Sequence, residues 1–84
     1  MVEPRYRIGT LSRLSGVSTH LIRVWERRYD FPHLHRTVAG HRLYSENDIC
    51  HLQWVKVRIS EGMRTQQAIR AFHLMDGTTL IQEH

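Results

Sequence analysis

Residues 15–29 read Ser-Gly-Val-Ser-Thr-His-Leu-Ile-Arg-Val-Trp-Glu-Arg-Arg-Tyr, and they constrain the fold more than any other stretch. Gly16 can adopt the left-handed conformation that ends a helix. Ser18, two residues on, is a preferred N-cap. A helix that stops at Gly16 and another that starts at Ser18 must meet at a sharp corner. The second helix carries Arg23, Arg27 and Arg28 beside large apolar residues. A basic helix launched from a tight turn is the arrangement by which many proteins seat side chains in the major groove of DNA.

The flanking pattern supports this corner. Ile8, Leu11, Leu14 and Val17 recur at helical spacing, which predicts a first helix over 9–15 after a short extended entry at Tyr6-Arg7-Ile8. In the second helix, 18–29, Leu21, Trp25 and Tyr29 lie four apart and are expected to face the core. Thr19, His20, Arg23 and Arg27 then fall on other faces. Asp30-Phe31-Pro32 stops the helix, because proline disfavours helical geometry in the residue before it.

Residues 33–44 alternate in a way that suits a small hairpin with its tip near Val38–Gly40. Such a hairpin is marginal alone and must lean on the helices. Ser45-Glu46-Asn47-Asp48 resembles a capping box, and Ile49, Leu52, Val55 and Ile59 continue a helix to about Ser60. Cys50 falls among these residues and is expected to be a buried small hydrophobe. Glu61-Gly62 ends that helix. Thr65 is expected to cap a fourth, with Ala68, Ile69 and Phe72 inward and Asp76-Gly77 as its stop. Thr78–His84 is too short to classify.

Eighty-four residues with 40% apolar content make one small domain with a modest core. That leaves little room for an enclosed active site. Of the twelve basic residues only Lys56 is a lysine; the rest are arginine, whose planar fork suits phosphate and guanine edges. The charge is uneven. Residues 1–45 hold eight arginines against Glu3, Glu26 and Asp30, a net of +5, whereas residues 46–84 hold four basic residues against five acids, a net of −1. The first half therefore reads as the face for a polyanion and the second as its support.

Other chemistries find no footing. Ser12, Ser15 and Ser18 lack base-and-orienter partners, the acids are scattered, and no glycine-rich phosphate loop is present, so no enzyme is expected. Seven histidines raise the question of metal. His33, His35 and His41 lie close together, but no spacing matches a zinc pattern, and no cofactor is expected. Histidines near phosphates would gain charge in mildly acid solution and tighten a DNA complex. A single cysteine permits no internal disulfide. With no signal peptide behind Met1 and no membrane-length apolar run, a cytoplasmic setting is expected.

Several motifs together now resemble a known family. Tyr6-Arg7-Ile8-Gly9, Gly16-Val17-Ser18, Leu21 through Tyr29, Gly40-His41-Arg42-Leu43-Tyr44 and Ile59-Ser60-Glu61-Gly62 resemble the DNA-binding domain of the MerR family of transcription regulators. The Arg-x-Trp-Glu-Arg-Arg-Tyr and Gly-His-Arg-Leu-Tyr forms look more like the CarA/LitR and MlrA branch than the metal-sensing members. Asp30 departs from the family pattern, standing where relatives usually carry glycine.

The resemblance implies a mainly α winged helix-turn-helix over residues 1–76, with 77–84 as a tail. It comprises about four helices and a small β-hairpin wing. The recognition helix would be 18–29, the first wing 35–44, and a second wing would form near Gly62–Thr65. It further implies DNA contact by Arg23 and phosphate contact by Arg36 and Arg42. Thr19 and His20, near the helix start, are base contacts or plain surface residues. Arg27 joins the DNA face, while Arg28 joins it or pairs with Glu26 or Asp30. Trp25 is expected to be mainly core with its edge near the DNA backbone. Tyr44 is expected to pack, its hydroxyl within reach of a phosphate. His41 would help anchor the wing, and Arg64 would touch phosphate at the second wing.

Family members dimerise through a long helix after this domain and read pseudo-palindromic operators, so this domain alone is expected to be mostly monomeric. Two rival readings remain at this point. One is a protein-interaction module whose basic face grips an acidic partner, such as a DNA-mimicking antirepressor. The other is an excisionase-like architectural DNA binder.

Overall fold

The computed structural model describes residues 4–32, 35–36, 40 and 42–76. The elements run α1 (Ile8–Ser15), α2 (Thr19–Tyr29), β1 (His35–Arg36), β2 (Arg42–Leu43), α3 (Glu46–Ser60) and α4 (Thr65–Asp76). Helix α1 starts one residue earlier than its sequence pattern suggests. The C-terminal stretch 77–84 lies outside the described residues.

Gly16 makes the corner. It takes φ 79° and ψ 12°, and its N–H donates to the Ser12 carbonyl to close α1. Ser18 then caps α2, its hydroxyl oxygen accepting from the Leu21 N–H at 3.1 Å. The last carbonyls of α1 have no partner within their own helix, and α3 supplies them. Gln53 donates to the Leu14 carbonyl at 3.2 Å and Lys56 to the Gly16 carbonyl at 3.0 Å. The cationic ammonium also complements the negative end of the α1 dipole.

At the far end of α2, Asp30 adopts φ 54° and ψ 43°. This residue therefore takes up the left-handed geometry that glycine would accept without steric cost. The reversal turns Phe31 inward, where it is 2% exposed. Its ring meets Phe72 of α4 edge-on at 5.1 Å and lies 6.5 Å from Trp25. Burying a phenylalanine side chain is worth roughly 1.5–3 kcal/mol, so this one residue pins the end of α2 to α4.

The core gathers around Leu11, Ile22, Trp25, Leu52, Val55 and Phe72. Packing selects one flank of each helix, and it corrects the sequence expectations for Leu21 and Cys50. Leu14 is 41% exposed and Ser15 is buried in its place. A strict three-residue repeat drifts by about 60° per step around an α-helix, so the face centred on Leu11 reaches Ser15 rather than Leu14. Leu21 is 42% exposed and Ile22 is fully buried, because α2 turns the Ile22–Trp25–Tyr29 side inward. Cys50 is exposed. It stands about 200° around α3 from Leu52, on the opposite face.

The wing is an antiparallel pair with His35 opposite Leu43 and Arg36 opposite Arg42, leaving residues 37–41 between the strands. Tyr6 joins it at the base: its N–H donates to the Tyr44 carbonyl at 2.8 Å, and the Tyr44 N–H returns the bond at 2.7 Å. A capping box opens α3. The Ser45 hydroxyl accepts from the Asp48 N–H at 3.3 Å, and the Asp48 carboxylate accepts from the Ser45 N–H at 2.7 Å. The first bond of α4 runs from the Ala68 N–H to the Arg64 carbonyl. Arg64 therefore occupies the cap position expected of Thr65, and the Gln67 side chain accepts from the Arg64 N–H at 3.3 Å.

Candidate nucleic-acid interface

With Ile22 and Trp25 turned inward, the outward side of α2 follows from the helical period. His20 and Arg27, seven residues apart, lie within about 20° of each other. Thr19 and Arg23 flank them on one side, toward the wing. All four are exposed, as is Arg28. Arg23, Arg27 and Arg28 have no carboxylate partner among the described residues, so Arg28 forms neither pairing considered for it.

The wing brings a further arginine to this face. Arg23, Glu26, Arg27 and Asp30 of the helix and its cap line one shallow depression with Arg42 of β2, about 250 Å³ in volume. Arg42 lies 3.5 Å from the Glu26 carboxylate, with its own side chain 42% exposed. Three guanidinium groups from two elements thus converge on one open surface.

Other predicted site residues fall differently. Trp25 is 5% exposed. It is a core residue whose visible edge opens beside Ser18 and Leu21. Tyr44 is fully buried, and its hydroxyl donates to the second Glu26 oxygen at 2.6 Å. That placement corrects the expectation of a phosphate contact: the hydroxyl is turned into the protein and already engaged. Burial, reinforced by the adjacent Glu26 carboxylate, pushes its pKa well above the ordinary tyrosine value. Arg64 is exposed at the head of α4, and its neighbour Thr65 shares a second shallow depression, about 200 Å³, with Leu21 and Lys56. The start of α4 therefore adjoins the leading end of α2. The Arg36 side chain and all of His41 lie outside the described residues.

Two contributors were not evident from sequence. Lys56 holds the corner between α1 and α2. Glu26 joins α2 to the wing, and the signal for it was there: it is the one acid within α2, and a carboxylate among arginines needs a partner. Among the described residues, no group of three or more His, Cys, Asp or Glu could hold a metal ion. No described helix is long and apolar enough to cross a membrane.

The chain is 40% identical to the HTH-type transcriptional repressor CarH of Myxococcus xanthus over 92% of its own length and 26% of that protein. It is 32% identical to the HTH-type transcriptional regulator MlrA of Escherichia coli over 74% of its length and 26% of that protein. It thus spans about a quarter of these relatives. A crystal structure of a MerR family transcriptional regulator from Bacillus thuringiensis matches with a TM-score of 0.68 and 24% identity, covering 99% of this chain and 71% of that one. That likeness supports the winged helix-turn-helix fold. The model of the MerR HTH family regulatory proteins matches residues 6–74. The chain belongs to the MerR family of helix-turn-helix regulatory proteins.

Proposed function

We propose that this domain binds double-stranded DNA as the DNA-reading part of a transcription regulator. Helix α2 enters the major groove. Thr19, His20 and Arg23 meet base edges near its leading end, with Arg27 beside them. Arg42 grips phosphate from the wing together with Arg36 and His41, and Arg64 does so from the head of α4. The observation that carries this reading is the convergence of Arg23, Arg27 and Arg42 from two elements on one open surface. A helix alone could be a solvated basic face; a helix with a cationic flap beside it matches a groove and its adjoining backbone.

The relatives support the regulatory role, since CarH is named a transcriptional repressor and MlrA a transcriptional regulator. The complete protein would act as a homodimer on a pseudo-palindromic site, which would set two copies of α2 one helical turn apart.

The test is selection of duplexes from a random pool, followed by amide NMR titration with the selected sequence. Shifts should concentrate in 19–28, around Arg42 and at Arg64. Arg23→Ala should then relax selection at one base pair, a loss of roughly 1–3 kcal/mol against the preferred base. Shifts confined to 46–61, or a pool that never narrows, would overturn the reading.

A further inference from the structure

Glu26 sits where a DNA-facing helix has least use for negative charge, between the arginine-bearing turns of α2. Its side chain is only 9% exposed, and both carboxylate oxygens face the wing. One accepts from the Tyr44 hydroxyl at 2.6 Å; the other faces an Arg42 amine at 3.5 Å. A guanidinium has five donors, so Arg42, whose side chain is 42% exposed, has donors to spare for a further partner.

The two strands of the wing pair over two residues each, and a hairpin of that size is marginal alone. The backbone bonds between Tyr6 and Tyr44 anchor its base. The contacts made by Glu26 tie β2 and the adjoining Tyr44 directly to α2.

We propose that Glu26 is a positioning residue for DNA binding: by holding Tyr44 with one oxygen and Arg42 with the other, it sets the wing arginine at the spacing from Arg23 and Arg27 that lets all three engage one duplex. This inference rests on the DNA-binding reading. It makes a prediction opposite to simple electrostatics. Removing an acid from a polyanion-binding face should tighten binding. If Glu26 positions Arg42, its removal should weaken it.

The experiment compares wild type, Glu26→Gln, Arg42→Ala and the double variant on the selected duplex across a salt series. The amide of Glu26→Gln keeps an acceptor for Tyr44, so the fold should persist, as thermal midpoints would verify. The expected result is weaker binding by Glu26→Gln, with a salt slope shallower by about one because a phosphate contact is lost. The double variant should bind no worse than Arg42→Ala alone. Tyr44→Phe should weaken binding in the same direction.

Equal or tighter binding by Glu26→Gln would overturn the proposal. So would losses that multiply in the double variant, or a lowered thermal midpoint with an unchanged salt slope. Wild type that ignores every duplex would overturn the DNA reading and this inference with it. Wild-type binding with a tighter Glu26→Gln overturns the inference alone.

Discussion

Gly16 and Lys56 work as a pair. A β-carbon on Gly16 would lie 2.6 Å from the Lys56 ammonium, and φ there is +79°. The lysine end is flexible and can withdraw, but it would release the Gly16 carbonyl as it left. Gly16→Ala should therefore destabilise the domain by roughly 1–2 kcal/mol, chiefly from the left-handed backbone, as a lower urea midpoint. Lys56→Met should be milder, because it removes the cap and leaves the backbone relaxed. Tyr44 gives a second test. Its pKa is raised, so the native state holds its proton at a pH where the unfolded chain releases it. The stabilisation is complete below the ordinary tyrosine pKa of about 10 and declines as pH rises beyond it. Thermal midpoints measured upward from neutrality should fall above that point, and the fall should be shallower in Tyr44→Phe.

Each helix owes its ends to a few side chains, and most of those ends were legible before any coordinates; the head of α4, where the cap falls on Arg64 and not Thr65, was not. The corner at Gly16, the cap at Ser18, the box at Ser45–Asp48 and the stop at Gly62 are all short-range devices, so residue type and spacing suffice to find them. Ser45→Ala should cost about 1 kcal/mol, readable as a lower denaturation midpoint, and hydrogen exchange should quicken first at the α3 N-terminus. What the sequence left obscure is which flank of each helix meets the core. Leu14 and Leu21 each lie beside a buried neighbour, Ser15 and Ile22, and an apolar pattern does not separate adjacent positions until packing chooses between them; Cys50 lies between two partly buried residues on the outer side of α3. The Asp30 reversal was half legible: aspartate tolerates left-handed geometry, but the use of that turn in driving Phe31 against Phe72 is tertiary. The same holds for the site. Arginines on an amphipathic helix announce a basic face, whereas the bond between Tyr44 and Glu26 joins residues eighteen apart, a distance no periodicity spans.

The domain as a whole divides its labour by charge. The half bearing the corner and the wing is cationic, and the half bearing α3 and α4 is close to neutral, with Arg64 exposed at the head of α4. Duplex affinity of the isolated domain should therefore be modest, in the non-specific range of about 10⁻⁴–10⁻⁶ M at physiological salt, and steeply salt-dependent. If Arg27, Arg36, Arg42 and Arg64 each neutralise one phosphate, log K should fall against log salt with a slope of about −3 to −4. Fluorescence anisotropy on a short labelled duplex measures this directly, and a slope near zero would contradict the assignment. Joining two domains through a rigid linker should raise affinity only for sites whose halves sit one helical turn apart.

The corner itself depends on distant sequence. Its carbonyls are met by Gln53 and Lys56, thirty-nine and forty residues downstream. A peptide cut after Tyr44 would hold every letter of the recognition motif yet lack the buttress that keeps its elbow bent. Such a fragment should wander between angles, and the smallest unit able to read DNA should extend well past α2 and the wing.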